Sequence, residues 1–343
     1  MKTYSSILKK TFTNSKNWNY YSNADNLSSE LPVNEIESKD FLKKFIQVSG
    51  KAETELFHQI DLIGDRATHV VSTFLLGHYL YQNTIMKEKI DNEINELKNS
   101  CGLRGSNIKI EFSYLWFLTC LFHDLGYSIE NEKKPKYNAF ADLKSDTTQL
   151  KQVNGVPELY RDICEKYFDY RIKSSNKNDH GIVASHLLYS SLCCIRIYSE
   201  NKASDLYWGK ELDDIYNFCS WNILAHNIWY CKESDTHLAN LYRENGLEHL
   251  ILRENDYKIK LNDHPFLFLF CLIDTIEPFK RIKNVTKLKK VSIEVLNKSV
   301  IKITTKLDCE CHNVIINQAK SLNDWLLKVK CEGQIVEIDL GHE

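Results

Sequence analysis

Apolar residues recur at helical spacing from Glu53 to about Lys283, and this pattern limits the fold more than any other feature of the sequence. Glycine and proline, which interrupt helices, number only 12 and 5 among 343 residues. A chain of this length can form one large core, or a main domain with a smaller companion. The sequence therefore predicts a mostly α-helical protein.

Five predicted helices carry the polar residues of interest. They are about Asp65 to Met86, FSYLWFLTCLF, HGIVASHLLYSSLCCI after Asp179, IYNFCSWNILAHNIWY, and a helix from near Pro265 past Asp274. The second is apolar nearly all round, so it should be buried. Gly126 is its predicted C-terminal stop. Asp179 is the predicted N-cap of the third helix, and Pro265 the first residue of the fifth.

Three segments are predicted along the chain. Residues 1–50 are polar and are interpreted as an irregular lead-in with one helix from Ser38. Residues 51–285 form the helical domain, with insertions at 87–111, helical followed by a loop, and at 128–178, which is long and basic in places.

The third segment, residues 286–343, has a different pattern. VSIEVLNKSVIKITTKL alternates apolar and polar residues, which predicts a hairpin turning at Asn297 and Lys298. A short amphipathic helix, CHNVIINQAKSLNDWLL, and a further strand or hairpin in KVKCEGQIVEIDL follow. The expected fold is thus mostly α with a small α+β C-terminal appendage.

Composition excludes several classes of protein. The formal net charge of −2 gives no global attraction to nucleic acid or to an anionic membrane. The longest apolar run, FLFLFCLI, is far short of the roughly 20 residues that cross a bilayer. The 11 cysteines form no pair of CxxC hooks, which argues against a zinc ribbon and favours a reducing compartment. We therefore expect a cytoplasmic protein that does not enter a membrane.

Histidine and aspartate inside apolar helices are the chemical anomaly. Burying such a group costs several kcal/mol unless something pairs with it, and a divalent cation is an effective partner. The positions, each on a different helix, are His69, His123 with Asp124, His180, His226 and Asp274. Taken alone, His69 is more often a core histidine with a hydrogen bond. The adjacent pair His123 and Asp124 is balanced between a metal site and a capped helix end.

The context of that pair, FHDLGY, resembles the signature of the HD-domain superfamily of metal-dependent phosphohydrolases. That family has a histidine on one helix, a His-Asp pair at the end of another, further histidines, and an aspartate on a late helix. The residues above match this order, and RATHVVSTFLLG, DHGIVASHLL and LIDTIEPFKR are also similar. The resemblance covers roughly residues 55–285 and implies an HD-domain helical bundle.

The resemblance also implies a ligand set. The first metal would be held by His69, His123, Asp124 and Asp274, and Asp124 would bridge to a second metal. His180 and His226 would bind that second metal, or instead contact phosphate or act as an acid around a single metal. Nitrogen and oxygen ligands suit one or two divalent ions of Mn, Fe, Co, Ni, Zn or, less well, Mg.

Further residues are candidates for substrate contacts. Arg66 can clamp a phosphate, or form a salt bridge with Asp65 or another carboxylate. Lys280 can reach phosphate, or simply close a helix. Arg161 and Arg171 in the 128–178 insertion can bind substrate, although a solvated charged insertion is the simpler interpretation. Glu277 is expected to orient a ligand histidine. The default interpretation of Trp229 and Tyr230 is core packing, and the alternative is that one of them stacks on a base.

The expected function is hydrolysis of a phosphate ester or anhydride, first of all of a nucleotide, by a metal-activated water. Asp124, His180, His226 and Arg66 are the expected catalytic residues. The alternative is a non-catalytic metal- or nucleotide-binding sensor or interaction module. A nuclease is less favoured because it predicts a basic groove. The expected partner is a small phosphorylated molecule, and a homo-oligomer is compatible with the sequence.

Overall fold

The computed structural model describes residues 3–18, 30–48, 57–101, 110–127, 158–175, 177–200, 211–253, 256, 259–280, 282, 289–306 and 309–341. The α-helices of these residues are α1 (Tyr4–Thr13), α2 (Glu35–Val48), α3 (Phe57–Leu62), α4 (Ala67–Asn83), α5 (Met86–Ser100), α6 (Phe112–Phe122), α7 (Glu158–Ser175), α8 (His180–Glu200), α9 (Glu211–His226), α10 (Thr236–Glu244), α11 (Pro265–Ile276) and α12 (Cys309–Ser321). The strands are β1 (Cys231–Lys232), β2 (Ile251–Leu252), β3 (Val291–Leu296), β4 (Val300–Thr305), β5 (Val329–Glu332) and β6 (Ile335–Asp339).

The mostly α-helical character and the small C-terminal sheet are therefore confirmed. The chain divides into two compact units, one of residues 1–93 with 255–343 and one of residues 94–254. The division into segments 1–50, 51–285 and 286–343 stays a prediction. Within the described part of the chain, no helix has the length and apolarity that crossing a membrane requires.

Helix α4 is the centre of the first unit. Helices α1, α2 and α11 pack against it, and α1 also contacts β3. The interpretation of residues 1–50 as irregular with a helix from Ser38 is wrong in part, because α1 is helical and α2 begins at Glu35. The side chains that α1 buries lie at positions i, i+3, i+4 and i+8, which form one face of a helix: Tyr4, Ile7, Leu8 and Phe12. The beginning of the chain therefore belongs to the core.

The same unit contains a four-stranded antiparallel sheet in the order β3-β4-β6-β5. Asn297 and Lys298 have φ of 51° and 61°, the left-handed conformation that a two-residue hairpin turn requires. The predicted hairpin is thus confirmed, and β5 and β6 confirm that KVKCEGQIVEIDL forms a second one. Helix α12, the predicted amphipathic helix, packs against β5 and α11.

In the second unit, α8 and α9 pack against each other and both contact α6. Every residue of α6 is buried, as its apolar sequence predicts. Asp179 accepts a hydrogen bond from the backbone N–H of Ile182 at 2.9 Å, which confirms it as the N-cap of α8.

The interpretation of Gly126 as a helix stop is wrong, because α6 ends at Phe122 and Gly126 lacks the positive φ of such a cap. A Cβ at Gly126 would lie 2.0 Å from the backbone oxygen of His180. The glycine is therefore required by the close approach of two backbone segments.

In two other segments the structure differs in detail from the prediction. The helix expected from Asp65 to Met86 is shorter, because Thr84 is extended and a new helix starts at Met86. That new helix, α5, is the helix expected in the first insertion. In the insertion at 128–178, residues 128–157 lie outside the described residues, and 158–175 form α7.

Candidate metal centre

The first unit holds one pair of candidate ligands. His69 is buried on α4, and Asp274 lies two residues before the end of α11. The His69 Nε2 atom lies 3.4 Å from the Asp274 Oδ1 atom. The other ring nitrogen of His69, Nδ1, lies 2.7 Å from an oxygen of Glu277. Because the Glu277 carboxylate accepts a hydrogen bond from the Nδ1–H of His69, the Nε2 atom keeps its lone pair and directs it toward Asp274.

Glu277 is itself held by a buried hydrogen-bond network. The Tyr4 hydroxyl donates to it at 2.8 Å and the Ser72 hydroxyl at 2.5 Å. The backbone N–H groups of Phe279 and Lys280 donate at 2.8 and 2.9 Å. Burial raises the pKa of Glu277, but the hydrogen bonds that His69, Ser72 and Phe279 donate to it outweigh this effect and lower the pKa below its ordinary value. Glu277 is therefore an ionised, fixed acceptor for His69.

A cationic side chain lies against Asp274. The Lys280 ammonium donates to both carboxylate oxygens of Asp274, each at 2.7 Å. Lys280, expected at a phosphate, is thus paired with a candidate metal ligand, and its phosphate contact stays a prediction. Arg66 is half-buried in the single 3-10 turn that precedes α4.

The second unit holds the adjacent pair. His123 follows directly after α6, and both His123 and Asp124 are buried. The helix ends here, which is where two adjacent side chains can best point toward the same metal ion. The His123 Nε2 atom lies 3.4 Å from the Asp124 Oδ1 atom. The His123 Nδ1 donates to the backbone oxygen of Cys120 at 2.8 Å, so Nε2 again keeps its lone pair.

Two more histidines lie beside this pair. His226 is the last residue of α9, is buried, and donates from Nδ1 to the backbone oxygen of Ile223. Its ring centroid lies 5.9 Å from that of His123 and 5.7 Å from that of His180. The His226 ring therefore neighbours both other rings, and the His180 ring stacks on Tyr127 with 3.9 Å between centroids.

Asn227 and Tyr127 were not singled out from the sequence. The Asn227 amide nitrogen lies 3.3 Å from the His180 Nδ1 and donates to Asp179 at 2.6 Å. Asn227 follows His226 directly, so a polar pair at the end of an apolar helix was the available signal. Tyr127 gave no comparable signal, because its contact with His180 depends on the packing of distant segments.

The positions of the two predicted basic residues of α7 say less about substrate binding. The side chain of Arg161 lies outside the described part of the chain. The Arg171 Nε lies 3.7 Å from a carboxylate oxygen of Asp179. Arg171 thus balances a buried carboxylate, and a role in substrate binding stays a prediction.

The donor set fits a divalent ion. Two ligands that each lie about 2.1 Å from one ion are about 3.0 to 3.4 Å apart in octahedral or tetrahedral geometry. The Nε2–Oδ1 distance is 3.4 Å both for His69 with Asp274 and for His123 with Asp124. Each histidine also donates from Nδ1, the arrangement that supports a metal-bound imidazole. The residues present can therefore hold a metal of the predicted kind.

A scan against protein-family models found no match to this chain, and searches of curated proteins and of solved structures found none either. The likeness to the HD-domain superfamily therefore depends on the sequence motifs.

Proposed function

We propose that this protein is a metal-dependent phosphohydrolase of the HD type. His69 with Asp274, and His123 with Asp124, are the proposed ligands of the divalent metal. The observation that carries the proposal is the repeated pairing, in each unit, of an imidazole Nε2 with a carboxylate oxygen at the separation of two ligands of one ion.

The protonation of the histidines supports this assignment. A neutral imidazole has one donor and one acceptor nitrogen, and only the acceptor can bind a metal. In His69 and His123 the Nδ1 proton is directed to an acceptor, so Nε2 is available without a change of tautomer. A core histidine that only satisfied its hydrogen bonds would not need an anionic carboxylate at the remaining nitrogen.

When bound, a divalent ion supplies positive charge for phosphoryl oxygens and lowers the pKa of water toward neutrality. The residues of the chain supply the remaining functions. Asp124 and Asp274 provide the negative charge that retains a cation. The Lys280 ammonium adds positive charge next to Asp274, and Arg66 precedes the α4 helix that carries His69. These two cations are the proposed attraction for a substrate phosphate.

A nucleotide is the proposed substrate class. Trp229 is 60% exposed although most large apolar side chains of the described residues are buried. Its indole N–H donates to the Asn227 side-chain oxygen at 3.2 Å, which holds the ring near His180. An exposed, fixed aromatic ring can stack on a base. The alternative, a sensor that binds metal and nucleotide without hydrolysis, uses the same residues.

The test combines metal analysis with a phosphate-release screen over nucleotides. We expect the native chain to retain a divalent metal and to release phosphate, and Asp124→Asn to lose both. Asp61→Asn is the matched control, since Asp61 is an exposed carboxylate of α3 that forms a surface ion pair with Lys43 at 2.9 Å. It should behave as the native chain.

A native chain that retains none of the six candidate metals and releases no phosphate contradicts the proposal. Retention of metal and binding of nucleotide without phosphate release instead supports the sensor.

A further inference from the structure

His180 differs from the other three candidate histidines in the direction of the hydrogen bond at its Nδ1 atom. His69, His123 and His226 all have an acceptor oxygen at Nδ1. His180 has the amide nitrogen of Asn227 there, at 3.3 Å. An amide nitrogen is a donor only, so the Nδ1 of His180 must accept.

The orientation of the Asn227 amide is fixed by two neighbours. The Trp229 indole N–H, which can only donate, lies 3.2 Å from the Asn227 Oδ1. The Asp179 carboxylate lies 2.6 Å from the Asn227 Nδ2. A rotated amide would place its N–H₂ against the indole N–H and its oxygen against the carboxylate. Both neighbours therefore require the orientation in which Nδ2 faces Asp179 and His180.

These neighbours are themselves held in place. One oxygen of Asp179 accepts from the Ile182 N–H as the N-cap of α8, and the other lies 3.7 Å from the Arg171 Nε. Asp179 and Asn227 are both buried. Both backbone polar groups of Trp229 are hydrogen-bonded. Its N–H donates to the Tyr167 hydroxyl at 3.2 Å, and its carbonyl oxygen accepts from the Tyr242 hydroxyl at 3.0 Å.

A neutral imidazole whose Nδ1 accepts carries its proton on Nε2. We infer that His180 is not a metal ligand and that it donates its Nε2–H to a phosphoryl oxygen of the substrate. This inference rests on the proposed function. Asn227 is the positioning residue, since it keeps the proton on Nε2, and the stacked Tyr127 holds the plane of the ring.

The assignment also separates His180 from a general acid. A neutral imidazole that gave up its Nε2 proton would become an imidazolate, which is strongly disfavoured. A second proton on Nδ1 would face the N–H₂ of Asn227. His180 therefore stabilises charge on oxygen by hydrogen bonding with no transfer of its proton, as a neutral histidine does in other enzymes.

The first test reads the proton directly. In the metal-free chain, with histidines labelled with ¹⁵N and spectra recorded at mildly alkaline pH, we expect His180 to be protonated at Nε2 and His123 at Nδ1. The resonances are assigned with His180→Gln and His123→Gln. Asn227→Asp offers an acceptor in place of the donor and should move the His180 proton to Nδ1. If Asn227→Asp does not fold, Asn227→Leu should leave His180 as a mixture of both tautomers.

Asn222→Ala is the matched control. Asn222 is also a buried asparagine of the α9 region, but its amide donates to the backbone oxygen of Phe218. The His180 pattern should be unchanged in this variant. Protonation of native His180 at Nδ1 overturns the inference, whatever the activity of the protein.

The second test uses metal content and two esters, phenyl phosphate and p-nitrophenyl phosphate. His180→Leu should keep the native metal content and lose about 10²-fold in turnover, equally for both esters, because a lost oxyanion donor costs about that much. His180→Gln, which keeps an N–H donor, should lose less. Loss of a metal equivalent in His180→Leu would make His180 a ligand, and a larger loss for phenyl phosphate would make it an acid.

Both of those outcomes overturn the inference. The failure of the proposed function is a different result: if the native chain binds no metal and releases no phosphate from any substrate, that proposal fails. The protonation of His180 is still decided by the spectra.

Discussion

The two candidate ligand pairs are similar in geometry but are held in different ways. In the first unit, His69 is fixed by Glu277, which is 208 residues away in the chain and is bound in turn by Tyr4 and Ser72. In the second unit, His123 and His226 are fixed by backbone oxygens three residues before them. The first arrangement depends on side chains from distant segments, whereas the second is built into the ends of two helices. A side-chain substitution can therefore remove the support of His69, but not that of His123.

The largest effect is expected from removing the side-chain support in the first unit. Glu277→Ala leaves His69, Ser72 and Tyr4 without their buried acceptor, and we expect the free energy of unfolding to fall by about 3 to 5 kcal/mol. Metal affinity should fall about 10- to 100-fold, because the lost residue orients His69, a proposed metal ligand. Urea denaturation and metal titration measure the two effects. An unchanged metal affinity would contradict the role of Glu277.

The pH dependence of this support has a defined sign. The pKa of Glu277 is lowered in the folded chain from the ordinary value of 4.5, so its contribution to stability is present above that value. The contribution is lost as the pH falls through the lowered pKa of the folded state. The difference in unfolding free energy between the native chain and Glu277→Gln should therefore shrink below pH 4.5. A difference that grows on acidification would show the opposite shift.

A somewhat smaller effect is expected from a backbone clash in the second unit. In Gly126→Ala the new Cβ would lie 2.0 Å from the backbone oxygen of His180, which cannot rotate away as a side chain can. The two segments must separate, and we expect a loss of about 1 to 3 kcal/mol in stability. Gly333→Ala is a control for a glycine with nothing within 4 Å of the added carbon, although its φ of 55° adds local strain. Displacement of His180 should make Gly126→Ala the less active of the two.

The smallest effect is expected at His123, a proposed ligand that is supported by a backbone oxygen. Cys120→Ala removes a buried sulfur but leaves the backbone oxygen that accepts from His123. Stability should fall by about 1 kcal/mol for the lost apolar volume. Metal content should equal that of the native chain, in contrast to Glu277→Ala. A loss of metal in Cys120→Ala would break the distinction between the two kinds of support.

Much of the fold could be predicted because it is local. Asp179 as an N-cap, Pro265 at the first turn of a helix and the turn at Asn297 and Lys298 each depend on a few neighbouring residues. Helix α1 was missed for a different reason. Its four apolar residues are diluted by Ser, Lys and Thr, and the contacts with α4 that stabilise it are not visible in a window of sequence.

The candidate site also has features that the sequence could predict and features that it could not. The residue types and their order along the chain give His69, His123, Asp124, His180, His226 and Asp274 as candidate residues. They cannot say which ring nitrogen of each histidine carries a proton, because that depends on the partner at the other nitrogen. Glu277 could be suggested as a partner of a histidine, whereas Asn227 could not be recognised as the donor that sets the tautomer of His180.

The sequence by itself thus determined the helical class, the C-terminal hairpins and the set of candidate metal-binding residues. These depend on periodicity, turn chemistry and side-chain type, which are local properties. Only the tertiary structure decided that the first helix belongs to the core and that Asn227 donates to His180. It also decided that the missing side chain of Gly126 allows the His180 backbone to approach closely. Each of these follows from contacts between residues far apart in the chain, and the direction of a hydrogen bond exists only when both partners are in place.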